Sequence, residues 1–310
     1  MLQLFAKPGE FAQNLSADLI RRNKAVDATD IDQIHRYLDL AIATSIYATK
    51  AKALLTRPLR ERGIAVDGSD WRRCGICLYG LWKGMRPDAV EKRMAELSER
   101  HKDNWRNTFP DDWDIDEQKL IALYRSNEAF QANTVHDFGD LSLALRYYVT
   151  EMLARAAGGR GAFDWGGSEG ICCTFLRHHG AADVTLFELN DNARAFGQWL
   201  NGQLGFNDIT YTDQRPQRQF GAGLSTEVLE HVIDPPLMVR QMLEMLHPGG
   251  VLFITSSFGV PQDTHLKQNL KWAGREEELM QSAGFVKWNP PIRPPMPFLS
   301  TWGFWQRPAA

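Results

Sequence analysis

Residues 162–170 read AFDWGGSEG, and this stretch decides the fold class. The short run Ala162–Trp165 reads as a strand, glycines follow it at once, and a helical segment covers residues 170–178. Small residues at such a turn let the backbone approach a ligand closely, and a helix N-terminus offers free amide donors. The stretch therefore predicts a strand, a tight ligand-binding turn and a helix, which together form the first unit of a parallel α/β sheet.

The same alternation continues downstream. Four apolar runs predict further strands, at residues 184–187, 209–211, 223–225 and 251–254. Amphipathic segments at residues 190–201 and 235–246 predict helices between them. Strict alternation of strand and helix predicts a parallel sheet with helices on both faces. Residues 285–288 and 298–306 are also strand-like, and the short proline-rich loop between them leaves no room for a crossover helix, so this last pair should be antiparallel.

The half of the chain before residue 158 has a different, helical rhythm. Apolar residues recur at three- and four-residue steps in Ile31, Ile34, Leu38 and Ile42, and Pro87 opens a second amphipathic run. Further helices are expected over about residues 116–126 and 141–156. Three glycines in residues 158–161 interrupt the pattern. We therefore predict a mostly α-helical domain over residues 1–157 and an α/β domain over residues 158–310.

Composition and charge exclude several classes of protein. The chain has 35 Lys and Arg against 38 Asp and Glu, and neither half has an excess of basic side chains, which disfavours extended nucleic-acid binding. No apolar run is long enough to cross a bilayer, and the first residues do not resemble a secretory signal. Four cysteines are too few for a disulfide framework and suit a reducing compartment. We expect a cytoplasmic protein without a nucleic-acid or membrane partner.

Two acidic residues follow predicted strands. Glu188 comes 22 residues after Gly166, a spacing at which a carboxylate can accept both hydroxyls of a ribose. Asp213 falls at the carboxyl edge of the same sheet, where open α/β folds bind their ligands. A glycine-rich turn with one acid predicts an adenosine ligand, but it does not separate a nicotinamide cofactor from another one.

Five segments, taken in order, resemble the class I S-adenosylmethionine-dependent methyltransferases. They are residues 164–170, Glu188, Asp213, residues 225–235 (STEVLEHVIDP) and residues 246–250 (LHPGG). The last two are especially similar to the ubiquinone-biosynthesis O-methyltransferase branch. The resemblance covers about residues 158–310 and does not reach the helical half.

The resemblance implies S-adenosylmethionine as cofactor and a Rossmann-like, seven-stranded sheet whose last strand is antiparallel. It implies that the glycine-rich loop holds the amino-acid end of the cofactor, through Asp164, Gly166, Ser168 and Gly170. Glu188 matches the acid that binds the ribose, and Asp213 matches the side chain that contacts the adenine amine. Glu227 lies in the loop that passes under the sulfonium.

Two positions depart from the family pattern. Ser168 replaces the middle glycine of the loop, which a serine tolerates without strain only if its backbone angles are ordinary. The fourth strand lacks the acidic residue that commonly stands near its start, since residues 220–223 read FGAG. These departures place the chain away from the centre of the family.

Few side chains are candidates for a catalytic role in methyl transfer. Methyl transfer from a sulfonium is an in-line displacement, so the enzyme mainly aligns the reactants and excludes water, and only an acidic acceptor group needs a base. His231 and Glu230 are the candidate catalytic residues, because an imidazole titrates near neutrality. The alternative is that His231 only packs against the helix that follows.

A metal site is a further alternative. Glu227, Glu230 and His231, with the more distant His265, resemble the metal ligands of small-RNA 2′-O-methyltransferases, and a divalent cation there could polarise a vicinal diol. Because a Glu-His pair is common in this fold without a metal, the predicted site includes none. Chelation with EDTA should then leave activity intact.

The predicted function is methyl transfer from S-adenosylmethionine to an oxygen or nitrogen of a small molecule. The helical domain would cover the cleft as a lid and contact the acceptor. Three alternatives stay open: a nicotinamide-dependent oxidoreductase, an enzyme that uses the same cofactor for a ring closure that releases methylthioadenosine, and a non-catalytic scaffold. The sequence chooses neither the acceptor nor the oligomeric state.

Overall fold

The computed structural model describes residues 46–66, 71–110, 115–126, 128, 140–260, 264–290 and 303–309. The helix that the sequence predicts over Ile31, Ile34, Leu38 and Ile42 lies outside these residues. The predicted strand at residues 298–306 is described only in its last part.

Within its described residues, the helical half contains a helical segment at residues 46–55 and four helices after it. They are α1 (Arg57–Arg60), α2 (Trp71–Lys83), α3 (Pro87–Thr108) and α4 (Glu117–Ser126). Helix α3 begins at a proline, whose fixed φ suits the first helical position. Its predicted apolar side is buried, through Val90, Met94, Leu97 and Trp105.

The α/β half begins with helix α5 (Asp140–Ala157). The strands are β1 (Ala162–Trp165), β2 (Val184–Phe187), β3 (Thr210–Thr212), β4 (Phe220–Thr226), β5 (Leu246–Thr255), β6 (Val286–Lys287) and β7 (Gly303–Gln306). The remaining helices are α6 (Ile171–His178), α7 (Asp191–Gln203), α8 (Pro235–Glu244) and α9 (Glu276–Ser282). Short 3₁₀ turns cover Leu229–His231 and Lys267–Trp272.

The seven strands form one mixed sheet in the order β3-β2-β1-β4-β5-β7-β6. Strands β1 to β5 pair in parallel, with Ala162 opposite Val184 on one side and Ala222 on the other. Strand β7 is antiparallel to both β5 and β6, which confirms the predicted antiparallel pair. The strand order reverses between β1 and β4, and open α/β sheets bind ligands at such a point.

Helices cover both faces of the sheet. Helices α5 and α6 pack on one face against residues such as Ala162, Leu186 and Phe253. Helices α8 and α9 pack on the other face, where Phe163 and Leu252 are buried. The helical half forms a further layer, because Leu55, Leu59 and other apolar residues of the N-terminal helices pack against Phe175 of α6 and Phe196 of α7.

Helix α5 belongs structurally to the sheet. Its residues Val149, Met152 and Leu153 are buried in the same cluster as Ala222 and Val251 of the strands. The boundary predicted at residue 158 separates this helix from the sheet and stays a prediction, whereas the packing joins α5 to the α/β half. The amphipathic pattern identified the helix, but it could not tell which partner its apolar side would meet.

The alternation of strand and helix fails at one place. Residues 213–219 connect β3 to β4 without a helix, which corrects the prediction of strict alternation. The side chain of Arg218 lies over the sheet there instead, because its Nη2 donates to Thr185 Oγ1 at 2.9 Å and its guanidinium stacks on the Phe220 ring. A cation and a threonine hydroxyl therefore stand where a helix would bury apolar side chains.

Two further observations concern the described residues. None of their helices combines the length and the apolar character that crossing a membrane requires. Cys74, Cys77, Cys172 and Cys173 are all buried free thiols.

Candidate active site

A cleft of about 870 Å³ lies at the carboxyl ends of β1, β2 and β4. Six of the predicted site residues line it: Asp164, Gly166, Ser168, Glu188, Glu227 and His231. Three others, Gly170, Asp213 and Glu230, lie outside its wall. The cleft occupies the point where the strand order reverses, and its volume lies within the range of small-molecule sites.

The glycine-rich turn after β1 is shaped by its backbone. Gly166 has a φ of 71° and donates its N–H to the Phe187 carbonyl at 2.7 Å. Gly167 lies directly against Asp164, so that a Cβ at position 167 would overlap the buried carboxylate of that residue. Such contacts need glycine, and they leave room for a ligand above the turn.

Ser168 adopts a strained conformation. Its φ is 51°, in the left-handed region, so the condition under which the sequence would tolerate a serine without strain is not met. Its N–H donates to Glu188 Oε2 at 2.9 Å, which gives the turn a fixed partner. Positive φ at a residue other than glycine clusters at ligand-binding sites, because the surrounding structure must hold it.

Glu188 connects the turn after β1 to the turn after β2 through hydrogen bonds. Its Oε1 accepts the N–H of Asn190 at 2.8 Å while its Oε2 accepts that of Ser168. Burial raises the pKa of Glu188, and these backbone donors act in the opposite direction. Each oxygen keeps lone-pair capacity for a further donor such as a ribose hydroxyl.

Asp213 lies outside the cleft wall and forms an ion pair there. Its Oδ2 lies 3.0 Å from Nη2 of Arg125 on α4. The interpretation that Asp213 contacts an adenine amine stays a prediction. At the same end, the cleft wall includes Arg215 from the β3–β4 connection.

The loop after β4 brings two acids together. Glu227 has a φ of 55°, and its N–H donates to the Thr255 carbonyl at 3.0 Å. Burial and the neighbouring Glu230 raise the pKa of Glu227, while the Ser257 hydroxyl donates to its Oε2. The Glu230 carboxylate is buried and accepts Ser256 Oγ at 2.7 Å and the N–H of Ser257 at 3.0 Å. These bonds turn Glu230 towards β5, and its role as a base stays a prediction.

His231 presents a basic nitrogen. Its Nδ1 lies 2.9 Å from the Thr264 carbonyl oxygen. A carbonyl only accepts, so we assign the proton to Nδ1 and the lone pair to Nε2. Burial lowers the pKa of His231 to about 4, which keeps the ring neutral at pH 7. The side chain can therefore accept a proton, although as a weak base.

His265 extends this arrangement. Its Nδ1 lies 2.7 Å from the Val260 carbonyl oxygen, which leaves its Nε2 as the acceptor nitrogen. One ligand atom each of Glu230, His231 and His265 lies within 4.8 Å of the others. Two imidazoles, each oriented by a backbone carbonyl, and one carboxylate form a donor set that can hold a divalent cation.

The helical half supplies a wall of the cleft whose residues the sequence did not identify. Its lining residues are Ser98, His101 and Lys102 of α3 and Glu117, Leu120, Ile121 and Tyr124 of α4. In each helix these positions recur at three- and four-residue steps, so they share one face. The spacing was visible in the sequence, but it does not distinguish a cleft wall from a core contact.

Residues 140–285 match the family model described as a methyltransferase domain. This part of the chain is a class I S-adenosylmethionine-dependent methyltransferase domain. The methyltransferase domain thus begins with α5, in agreement with the packing of that helix on the sheet. This match identifies residues 140–285 as an enzyme domain whose cosubstrate is S-adenosylmethionine.

Several solved structures resemble this methyltransferase. The N-methyltransferase NodS from Bradyrhizobium japonicum, in complex with S-adenosylhomocysteine, is 14% identical over 53% of this chain and 86% of its own, with a TM-score of 0.40. An S-adenosylmethionine-dependent methyltransferase from Mesorhizobium loti is 20% identical over 52% and 95%, with a TM-score of 0.37.

The cyclase SpnF is 19% identical over 49% of this chain, with a TM-score of 0.38, and the match spans 62% of SpnF. At these scores the neighbours say nothing about the acceptor of the methyltransferase. No curated protein matches the chain.

Proposed function

We propose that this methyltransferase transfers a methyl group to an oxygen or nitrogen of a small-molecule acceptor. One observation carries the proposal: a single cleft of about 870 Å³ joins the glycine-rich turn to side chains of α3 and α4. Because it lies at the upper end of small-molecule sites, this volume suits a cofactor and an acceptor together.

The cofactor end fits S-adenosylmethionine. Asp164, Gly166 and Ser168 line the cleft and would hold its amino-acid end, while Gly170, with a φ of 70°, would shape the turn behind them. Glu188 would accept the ribose hydroxyls with its remaining lone pairs. Glu227 would lie under the sulfonium, where its negative charge suits a cation. Asp213 would reach the adenine amine only after it leaves Arg125.

The bound cofactor supplies an activated methyl group on a sulfonium. The chain aligns the acceptor in line with that methyl and excludes water. Nε2 of His231 would accept the proton of a hydroxyl acceptor as the new bond forms. The apolar side chains of Leu120 and Ile121 would shield this end of the cleft from solvent.

A second mechanism uses the same loop. The closeness of Glu230, His231 and His265 favours a divalent cation that would polarise an acceptor oxygen. The two mechanisms differ in one result. EDTA leaves turnover unchanged if His231 acts as a base, and it abolishes turnover, with recovery on adding Mn²⁺ or Mg²⁺, if these residues hold a metal.

Titration calorimetry with S-adenosylmethionine, S-adenosylhomocysteine and NAD, one ligand at a time, tests the cofactor class. We expect binding of the first two and none of NAD. Mass spectrometry of the products formed with candidate acceptors then tests the reaction. S-adenosylhomocysteine with a methylated acceptor supports the proposal, whereas methylthioadenosine would indicate ring closure. Binding of NAD alone would contradict the proposal.

We also propose roles for the helical half, a cellular location and a class of partner. The helices before residue 140 would act as the cover of the cleft and as the acceptor-binding surface. Four free thiols suit a cytoplasmic enzyme whose partner is a small molecule rather than a nucleic acid or a membrane.

A further inference from the structure

Tyr124 belongs to the helical half, but a hydrogen bond links its backbone to the cofactor end of the cleft. Its carbonyl oxygen accepts Nδ2 of Asn190 at 2.7 Å. The N–H of the same asparagine donates to Glu188, the predicted ribose-binding acid. The next residue of α4, Arg125, pairs with Asp213 after β3. Two consecutive residues thus hold the end of α4 against the ends of β2 and β3.

The Tyr124 ring faces the reaction end of the cleft. Its centroid lies 6.3 Å from that of His231, with the two planes at 70°. Burial, and the negative charges of Glu230 and Glu188, raise the pKa of the phenol, so the ring stays neutral. Tyr124 therefore stands between the ribose-binding acid and the imidazole that would accept the proton.

Under the proposed function, the cofactor's sulfonium would lie in that interval. A ribose bound at Glu188 and an acceptor bound at His231 leave the transferred methyl between them. The other Phe, Tyr and Trp rings in the described part of the cleft wall are Trp165 and Phe187. These two lie at the ends of β1 and β2, their centroids are 4.5 Å apart, and they pack in the cluster beneath α8. Of these three rings, Tyr124 is the one that approaches from the helical half.

We propose that the face of the Tyr124 ring contacts the sulfonium and its methyl group, so that the helical half selects the charged cofactor over its neutral product. The inference rests on the proposed methyl transfer. The face of an aromatic ring is negative and attracts a cation. S-adenosylhomocysteine has no positive sulfur, so it gains nothing from this attraction. Tyr124 would thereby favour release of the product after transfer.

The test compares the dissociation constants of S-adenosylmethionine and S-adenosylhomocysteine by calorimetry. In Tyr124→Leu we expect the preference for S-adenosylmethionine to fall about 2- to 30-fold, the range of a cation–π contact. Tyr124→Phe retains the ring and should keep the preference within about twofold of the wild type. Phe187→Leu removes another ring from the same cleft and should weaken both ligands alike.

A second variant covers the case in which Tyr124→Leu does not fold. Replacement of Tyr124 by 4-cyanophenylalanine keeps an aromatic ring of similar shape but withdraws electrons from its face, so the preference should again fall. An unchanged preference in the folded variants would overturn the inference while leaving the methyltransferase proposal in place. Failure of the wild type to bind either ligand would instead contradict the proposed function.

Discussion

The two ends of the cleft are built in different ways. The cofactor end consists of backbone turns within one short segment, from Asp164 to Asn190, in which N–H groups donate to Glu188 and the Phe187 carbonyl. The acceptor end, where we propose that the acceptor binds, consists of side chains from α3 and α4 that meet the loop after β4, although they lie far apart in the chain. Backbone geometry fixes the first end, whereas tertiary packing fixes the second.

This difference has a consequence for function. A turn that depends on glycines and on a carboxylate held by two N–H groups tolerates few substitutions, so it suits a ligand common to the whole family. A wall made of side chains on helices can change at each position without altering the backbone. We therefore expect cofactor binding to depend on residues 164–190 and acceptor choice to depend on α3 and α4.

The largest effect is expected where the two ends meet. His231→Ala should lower turnover by about 100-fold or more, because general-base catalysis is worth at least that much, and leave the affinity for S-adenosylhomocysteine unchanged. Steady-state kinetics with an acceptor found by product analysis, together with calorimetry, measures both. His247→Ala, in a residue that is not part of the cleft wall, is the control. Unchanged turnover in His231→Ala would leave that side chain with a packing role.

A smaller effect is expected at the cofactor end. Glu188→Ala should weaken S-adenosylhomocysteine binding by about 2–3 kcal/mol, because it removes a charged acceptor from the ribose and from two N–H groups. Calorimetry of the variant checks this value. Glu278→Ala removes an exposed acid from α9 and serves as the control. Equal affinity in wild type and Glu188→Ala would refute the assigned role.

The shape of the turn can be tested without touching a charge. Gly167→Ala should weaken S-adenosylhomocysteine binding by about 1–2 kcal/mol, because the added methyl group overlaps the Asp164 carboxylate and displaces the turn. Gly202→Ala in α7 meets only Asn207 Oδ1, at 3.7 Å, and should leave the affinity unchanged. A loss of affinity in both variants would argue against a specific effect at the turn.

The smallest effect separates two roles for Asp213. Arg125→Ala and Asp213→Ala each break an exposed ion pair, which is worth at most about 1 kcal/mol of stability. We expect Arg125→Ala to leave S-adenosylhomocysteine affinity within about twofold of the wild type, and Asp213→Ala to lower it about fivefold, because only the second variant also loses the acceptor of the adenine amine. Thermal unfolding and calorimetry compare the two. Equal affinities in the two variants would mean that this carboxylate does not bind the adenine amine.

The sequence predicted the parts of the fold that depend on local patterns. The strands after residue 158, the antiparallel final pair and the glycine-rich turn all follow from short apolar runs, a proline-rich loop and small residues. The predicted rule of strict alternation failed between β3 and β4, where the sequence offered no helical segment and Arg218 contacts Thr185 instead. The left-handed backbone of Ser168 was not predicted either, because the residues next to this serine in the sequence do not indicate a positive φ.

The sequence did not predict the residues of the acceptor end, for a different reason. Leu120 and Tyr124 have the spacing of any apolar helix face, and only the tertiary contact of Tyr124 with Asn190 places them over the cofactor edge. The partners of His231 and Glu230 were equally hidden, because Thr264 and Ser256 come from distant segments. Local motifs thus predicted candidate site residues, and long-range contacts decide which side chains those residues meet in the fold.

Amide hydrogen exchange with and without S-adenosylhomocysteine tests most directly the claim that both halves form one site. We expect the ligand to protect residues 166–171 and 188–190 and also helix α4, residues 117–126, which lies over the same cleft. Helix α9, on the far side of the sheet, should not change. Protection confined to the turns at the sheet edge, with α4 unaffected, would contradict the account.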